Sequence, residues 1–168
     1  LTAWFAPILC FTAEEAWQTR YPDRTSDDSV HLRLFPDIPG AWHNESLAGK
    51  WQRIRNLRRV VTGALEIERA AKRIGSSLAA TAIVYASPED RALLDGIDAA
   101  DLFITSAARF PDEKAPDDAF FQPETPGIYV VVEAAAGEKC ARCWKVMPEI
   151  GTADGHDELC HRCADAVG

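Results

Sequence analysis

Four cysteines near the C-terminus constrain the chain more than any other feature: Cys140-Ala-Arg-Cys143, sixteen residues, then Cys160-His-Arg-Cys163. Two C-x-x-C turns at this separation bring four thiolates tetrahedrally around one ion, the arrangement structural zinc prefers. Sulfur fills every position, leaving none for water or substrate. One zinc ion held by Cys140, Cys143, Cys160 and Cys163 is therefore expected to maintain the fold and to perform no chemistry. Roughly thirty residues surround the motif, too few for an apolar core. Metal binding, worth on the order of 10–16 kcal/mol in finger peptides, is the expected source of local order. Two disulfides, four reduced thiols, an iron–sulfur cluster, or a ligand contributed by His156 or His161 are the alternatives that the spacing leaves open.

Cysteine usage also places the chain. Five cysteines, four of them in close pairs, do not make a disulfide scaffold and point to a reducing, cytoplasmic setting. Cys10, alone in an apolar stretch, is expected to be a small buried hydrophobe. No apolar run is long enough to span a membrane, and Leu1 to Ala6 lacks the basic start of a secretory signal. A start at Leu1, inside a helical pattern, is expected of a piece cut from a longer protein.

Three stretches follow from the patterning. Residues 1–80 read as helical. Pro7 should end or kink the first helix, and Thr12-Ala-Glu-Glu15 reads as a capping box opening a helix through Trp17. A long connection, 21–50, holds a brief extended piece at Val30–Phe35. From Leu47 to Ile74, Trp51, Ile54, Leu57, Val61, Leu65, Glu68 and Ala71 recur at helical spacing and predict a core-facing stripe, with Gly75 as the stop. Residues 81–136 alternate as a small α+β unit. Strands are expected at Thr81–Tyr85, Leu102–Thr105 and Ile128–Glu133, and a Ser87-capped helix has Pro88 at its first position. Residues 137–168 form the four-cysteine finger.

Net charge is −8, which argues at first against a nucleic-acid partner. From Lys50 to Gly75, however, eight basic and two acidic residues give +6 and leave −14 to the remainder. Local charge governs phosphate contact. Lys50, Arg53, Arg55, Arg58, Arg59, Arg69, Lys72 and Arg73 form a candidate phosphate-tracking stripe, with Arg55, Arg59, Arg69 and Arg73 on the side away from the apolar stripe. A solvated face paired with the acidic remainder is the plain alternative. Trp144 follows the first cysteine pair between Arg142 and Lys145. On so small a unit its indole cannot be fully buried, and an exposed aromatic among cations suits stacking on an unpaired base, worth roughly 1–3 kcal/mol. Packing over the cysteines is the other reading.

Together these pieces resemble the C-terminal part of bacterial-type isoleucyl-tRNA synthetases, of class Ia. Residues 1–17, with Pro7 and Thr12-Ala-Glu-Glu15, look like the kinked helix and turn of class Ia anticodon-binding domains. Ser29-Val-His-Leu32 with Phe35-Pro36, and Ile74-Gly-Ser-Ser-Leu78, narrow the likeness to the isoleucine enzymes. Lys139-Cys-Ala-Arg-Cys-Trp144 with Leu159-Cys-His-Arg-Cys163 is its most specific part. The resemblance implies a mainly α fold: a helical-bundle anticodon-binding domain (1–80), an α+β junction (81–136) and a zinc-bound tail (137–168). It also implies a monomer that binds tRNA-Ile beside upstream catalytic and editing domains of the parent. Trp144, Arg142 and Lys145 would then lie at the anticodon bases, and Arg55, Arg59, Arg69 and Arg73 at stem phosphates. The catalytic signatures of the family, His-Ile-Gly-His and Lys-Met-Ser-Lys-Ser, do not occur in the sequence, so this stretch is not expected to be an enzyme, whereas the parent is an ATP-dependent ligase.

Two other classes compete. A finger of this spacing also resembles that of formamidopyrimidine-type DNA glycosylases, but Lys145–Leu159 lacks the arginine those fingers carry between the cysteine pairs. A zinc-stabilised protein-interaction module is the third reading.

Overall fold

The computed structural model describes residues 1–23 and 28–168, so residues 24–27 of the expected 21–50 connection lie outside the described residues. The chain divides into two compact units, 1–45 and 46–168. Its architecture is mixed α and β.

In the first unit, helix α1 (Thr2–Phe5) stops ahead of Pro7 and α2 (Cys10–Arg20) follows, because proline lacks the amide a continuing helix needs. The capping box does not form. Helix α2 already runs from Cys10, so Thr12 lies inside it, and Leu9 at its N-cap supplies no side-chain bond. Glu14 serves elsewhere: its carboxylate accepts from the Ser29 hydroxyl at 2.7 Å and from the Val30 amide at 3.0 Å. These bonds hold its pKa below the usual range, the Ser29 bond contributing most. That tie shapes Val30–Leu32 into a 3₁₀ turn capped by Ser29, where an extended piece was expected. Among the described residues of this unit Ala6, Ala13 and Val30 are buried, with Ala3 and Trp17 packed on them. Cys10 is exposed, contrary to its apolar neighbourhood in sequence.

The second unit is built on α3 (Glu45–Ala70), which buries Ile54, Leu57, Val60, Val61, Ala64 and Leu65. The stripe is wider than a single row, as suits a helix lying on a sheet, and it is shorter than expected at both ends, since Trp51 and Ala71 are exposed. Gly75 is not the stop. Lys72 takes the left-handed conformation at φ 59°. Its amide bonds the Arg69 carbonyl, and the Arg73 amide bonds that of Glu68, both at 2.9 Å, which is a Schellman closure. The Arg73 guanidinium then grips the Glu68 carboxylate with two bonds.

The sheet has strand order β2-β1-β4-β3, from β1 (Ala80–Tyr85), β2 (Ala107–Arg109), β3 (Phe120–Phe121) and β4 (Tyr129–Ala134). Strand β1 runs parallel to β2 and antiparallel to β4, and β3 is antiparallel to β4. Ala80, Ala82 and Val84 alternate along β1 toward one face, where they join the α3 stripe, Val130 and Phe103 in a single core. Two short helices connect β1 to β2. In α4 (Pro88–Ala92), Ser87 accepts from the Asp90 amide at 3.1 Å, as its sequence predicts. In α5 (Ala99–Phe103), Asp98 caps the helix by accepting from the Asp101 amide. The strand expected at Leu102–Thr105 is thus the end of a helix: the Asp98 cap outweighs a short β-branched run, and pairing with β1 begins only at Ala107.

The finger follows. Strands β5 (Glu138–Lys139) and β6 (Val146–Met147) pair antiparallel, and α6 (His161–Val167) starts immediately after Cys160. Gly137 has φ 111° and lies so close to Met147 that an added Cβ would sit 2.3 Å from its backbone. Glycine is required there for the hairpin to close. Among the described residues no helix is long and apolar enough to cross a membrane.

Candidate metal centre and nucleic-acid interface

The first cysteine pair is turned by its backbone. The Trp144 amide bonds the Cys140 carbonyl at 3.0 Å and the Cys140 amide bonds the Lys145 carbonyl at 2.9 Å. The second pair opens α6, where the amides of Cys163 and Ala164 both reach the Cys160 carbonyl. The two turns are laced together by the Ala141 amide on the Glu158 carbonyl at 2.9 Å and by the Cys160 amide on the Cys140 sulfur at 3.4 Å.

The four sulfurs lie within 4.8 Å of one another. The Cys143 and Cys160 sulfurs are 3.8 Å apart, too far for a disulfide. It is the edge of a tetrahedron with metal–sulfur bonds of about 2.3 Å, whose sulfurs sit about 3.8 Å apart. Cys140, Cys160 and Cys163 are almost wholly buried, with Met147, Ile150 and Leu159 packed around them. Burial opposes ionisation of Cys140, but amide donors of Cys143, Cys160 and Arg142 outweigh it and lower its pKa to about 6. Burial pushes Cys160 up to about 12, aided by the neighbouring sulfurs. Sulfurs so close cannot all ionise without a cation among them. Four convergent sulfurs within 4.8 Å of one another, three of them on almost wholly buried cysteines, fit one structural zinc ion.

Neither histidine takes a ligand's place. His161 faces Thr152, ring nitrogen to hydroxyl at 2.8 Å, and the cluster consists of the four cysteines alone. Outside it, the Arg142 guanidinium lies 3.7 Å from the Cys163 sulfur, where it offsets the negative charge of a four-thiolate centre.

The residues expected at RNA are not all placed alike. Trp144 is 60% exposed with φ 67°, a left-handed conformation forced by the tight cysteine turn. This backbone throws the indole outward. Arg142, two residues earlier, is exposed as well. Lys145 is not part of the exposed set: it is 8% exposed and its ammonium binds the Asp101 carboxylate. The cation over the Trp144 ring is Lys139, 5.1 Å from the centroid. Lys139 escaped the sequence reading because its side of the hairpin is set only once β5 and β6 pair.

On α3 the stripe separates into two groups. Arg53 is bidentate to Asp90 at 2.6 and 2.7 Å, and Arg58 donates to the Leu102 carbonyl at 2.8 Å. Both are structural. Arg55, Arg59, Arg69 and Arg73 are exposed. Arg69 pairs with Glu66 and Arg73 with Glu68, Arg55 bonds Gln52, and Arg59 has no acidic partner among the described residues.

The chain matches two family models: "Anticodon-binding domain of tRNA ligase" over residues 1–84 and "Zinc finger found in FPG and IleRS" over residues 137–166. It is 45% identical over 168 residues to an isoleucine–tRNA ligase of Agrobacterium fabrum, covering 99% of this chain and 17% of that protein. The isoleucine–tRNA ligase of Ruegeria pomeroyi is 50% identical over 169 residues, again with 17% of its length covered, and that of Bartonella henselae 46%. The chain spans about a sixth of the length of these relatives. With a tRNA-ligase anticodon-binding match over its first half and a four-cysteine centre where the finger model falls, the chain belongs to the anticodon-binding family of tRNA ligases, as the anticodon-binding and zinc-finger region of the bacterial isoleucine type.

Proposed function

We propose that this chain binds the anticodon arm of tRNA-Ile in the cytoplasm, as the RNA-reading part of an isoleucine–tRNA ligase whose ATP-dependent chemistry lies in another part of the parent protein. The observation that carries the proposal is Trp144: a large aromatic, 60% exposed, set outward by the backbone of a cysteine turn. An exposed ring fixed on a rigid centre, with Lys139 over it and the exposed Arg142 in the same cysteine turn, is suited to stacking on an unpaired base. Arg55, Arg59, Arg69 and Arg73 serve stem phosphates, each exchanging its protein partner, or water at Arg59, for a phosphate oxygen. Lys145 contributes from behind, by holding the turn that presents Trp144.

In this reading residues 1–80 are the end of a class Ia helical-bundle anticodon-binding domain, 81–136 the junction and 137–168 the reading finger, in a monomeric parent. Phe11 and Leu34 are 92% and 91% exposed, as expected of faces that further bundle helices cover.

Titration of tryptophan fluorescence with tRNA-Ile, a second tRNA and duplex DNA, the Trp144 part read as the difference from Trp144→Ala since the chain has five tryptophans, tests the proposal. Trp144→Ala should weaken tRNA-Ile binding by roughly tenfold or more, the loss of one base stack, with zinc content unchanged. Equal affinity for all three nucleic acids removes the specific claim, and preference for duplex DNA favours a glycosylase-like finger.

A further inference from the structure

The finger is docked on the α/β body by polar contacts that converge on α5. Asp101, at the third position of that helix, takes Lys145 on one carboxylate oxygen and Arg162 on the other, at 2.5 and 3.0 Å. Lys145 directly follows Trp144 after the first cysteine pair, and Arg162 lies inside the second. A single carboxylate therefore holds both turns of the zinc centre. Five residues on, the Ser106 hydroxyl accepts from the Val146 amide at 2.6 Å and donates to the Leu78 carbonyl at 2.5 Å, so β6 is anchored as well.

Two features show that the site is built to hold position. Lys145 is buried, and a buried ammonium needs its counter-charge. The turn that leads from Asp101 to Ser106 passes through Ile104 at φ 58°, a left-handed conformation that β-branched residues avoid. It is closed by the Thr105 amide on the Ala100 carbonyl and the Ile104 amide on that of Asp101. On its other side α5 receives Arg58 of the basic helix through the Leu102 carbonyl. The same short helix thus ties the arginine-bearing helix and the tryptophan-bearing finger into one frame.

We propose that Asp101 is a positioning residue for RNA recognition: by gripping Lys145 and Arg162 together it locks the zinc-loaded finger to the body and fixes the direction in which Trp144 points. Preorganisation of this kind lowers the ordering cost of binding without adding a contact to the ligand. The proposal rests on the reading of Trp144 as a base-stacking residue, and its test keeps the two apart.

The experiment compares the zinc-loaded full chain with Asp101→Asn, which keeps the shape and loses the charge, and with Asp101→Glu, which restores a carboxylate. Lys145→Met, retaining the aliphatic stem, attacks the same contact from the finger. Zinc per chain, hydrogen exchange of the Val146 amide and affinity for tRNA-Ile are measured for each. The expected result for Asp101→Asn is one zinc per chain, Val146 exchange faster by about tenfold or more, and tRNA affinity lower by roughly tenfold, with Asp101→Glu recovering most of both. Unchanged Val146 exchange in both Asp101→Asn and Lys145→Met overturns the lock. Loss of zinc in Asp101→Asn overturns it too, because the carboxylate would then serve metal retention. Faster exchange with undiminished tRNA affinity, where Trp144→Ala does weaken binding, overturns the positioning role. Where Trp144→Ala itself leaves affinity unchanged, the stacking reading fails, and the lock is decided by Val146 exchange alone.

Discussion

Among the described residues fourteen apolar side chains, Phe103 one of them, are buried in one cluster drawn from α3, the sheet, α5 and the segments that connect them. In the finger the buried cluster is three cysteines, with a fourth, Met147, Ile150 and Leu159 at its edge. The two regions belong to one compact unit, yet they hold their shape by different means. Burial of apolar area is additive and redundant, since each side chain contributes about 1.5–3 kcal/mol and the loss of one is survivable. A metal centre is concentrated in one ion and four bonds, and it is either made or not. The difference matters for function. A finger with little core can place a large aromatic at its surface, as Trp144 is placed, because its stability does not depend on burying that ring.

Removal of the metal should separate the regions most sharply. Chelation is expected to melt residues 137–168 while the α3–sheet core stays folded, since finger peptides draw on the order of 10–16 kcal/mol from their ion. Circular dichroism with limited proteolysis, with and without chelator, reads this out. A tail that stays protease-resistant without metal would end the contrast. The converse perturbation is Phe103→Ala in the core, with an expected loss of about 3–5 kcal/mol. Denaturant unfolding should show it, and zinc content should be unchanged below the transition. Simultaneous loss of zinc would mean that the two regions fold as one. The smallest effect is expected at Lys72, which closes α3 in a left-handed conformation. Lys72→Gly should raise core stability by about 0.5–1 kcal/mol, the relieved strain being partly offset by a freer unfolded chain. Thermal unfolding of the metal-loaded protein measures it, and a lowered midpoint would show that the lysine side chain matters more than its backbone.

Legibility in the sequence followed the range of the interaction. The Ser87 cap, the Pro7 break, strands β1 and β4 and the Ile54-Leu57-Val61-Leu65 stripe were all readable, because each depends on neighbours within a few residues. The Thr12 box failed because α2 already runs from Cys10, which puts Thr12 inside the helix, and Val30–Leu32 turned instead of extending because Glu14 reaches Ser29 and Val30, fifteen and sixteen residues away. The strand expected at Leu102–Thr105 failed because one capping aspartate, Asp98, turns the segment into helix. Val60 and Ala64 were missed in the core because a helix lying on a sheet buries a broader face than one row. Cys10 was expected inside, but the small first unit buries only Ala6, Ala13 and Val30 among its described residues.

The candidate site divides the same way. Its four sulfurs were fixed by spacing, because a C-x-x-C turn and a tetrahedral ion allow little freedom, and the exposure of Trp144 followed from the size of the finger. Which cations stand near that ring was decided by the fold. Lys145 and Lys139 are both close to Trp144 in sequence, but the first turns inward to Asp101 and the second crosses the hairpin to the indole. Arg53 and Arg58 likewise left the basic stripe for Asp90 and the Leu102 carbonyl. A side chain's charge is written in the sequence, whereas its partner is chosen among groups that only tertiary packing brings within reach.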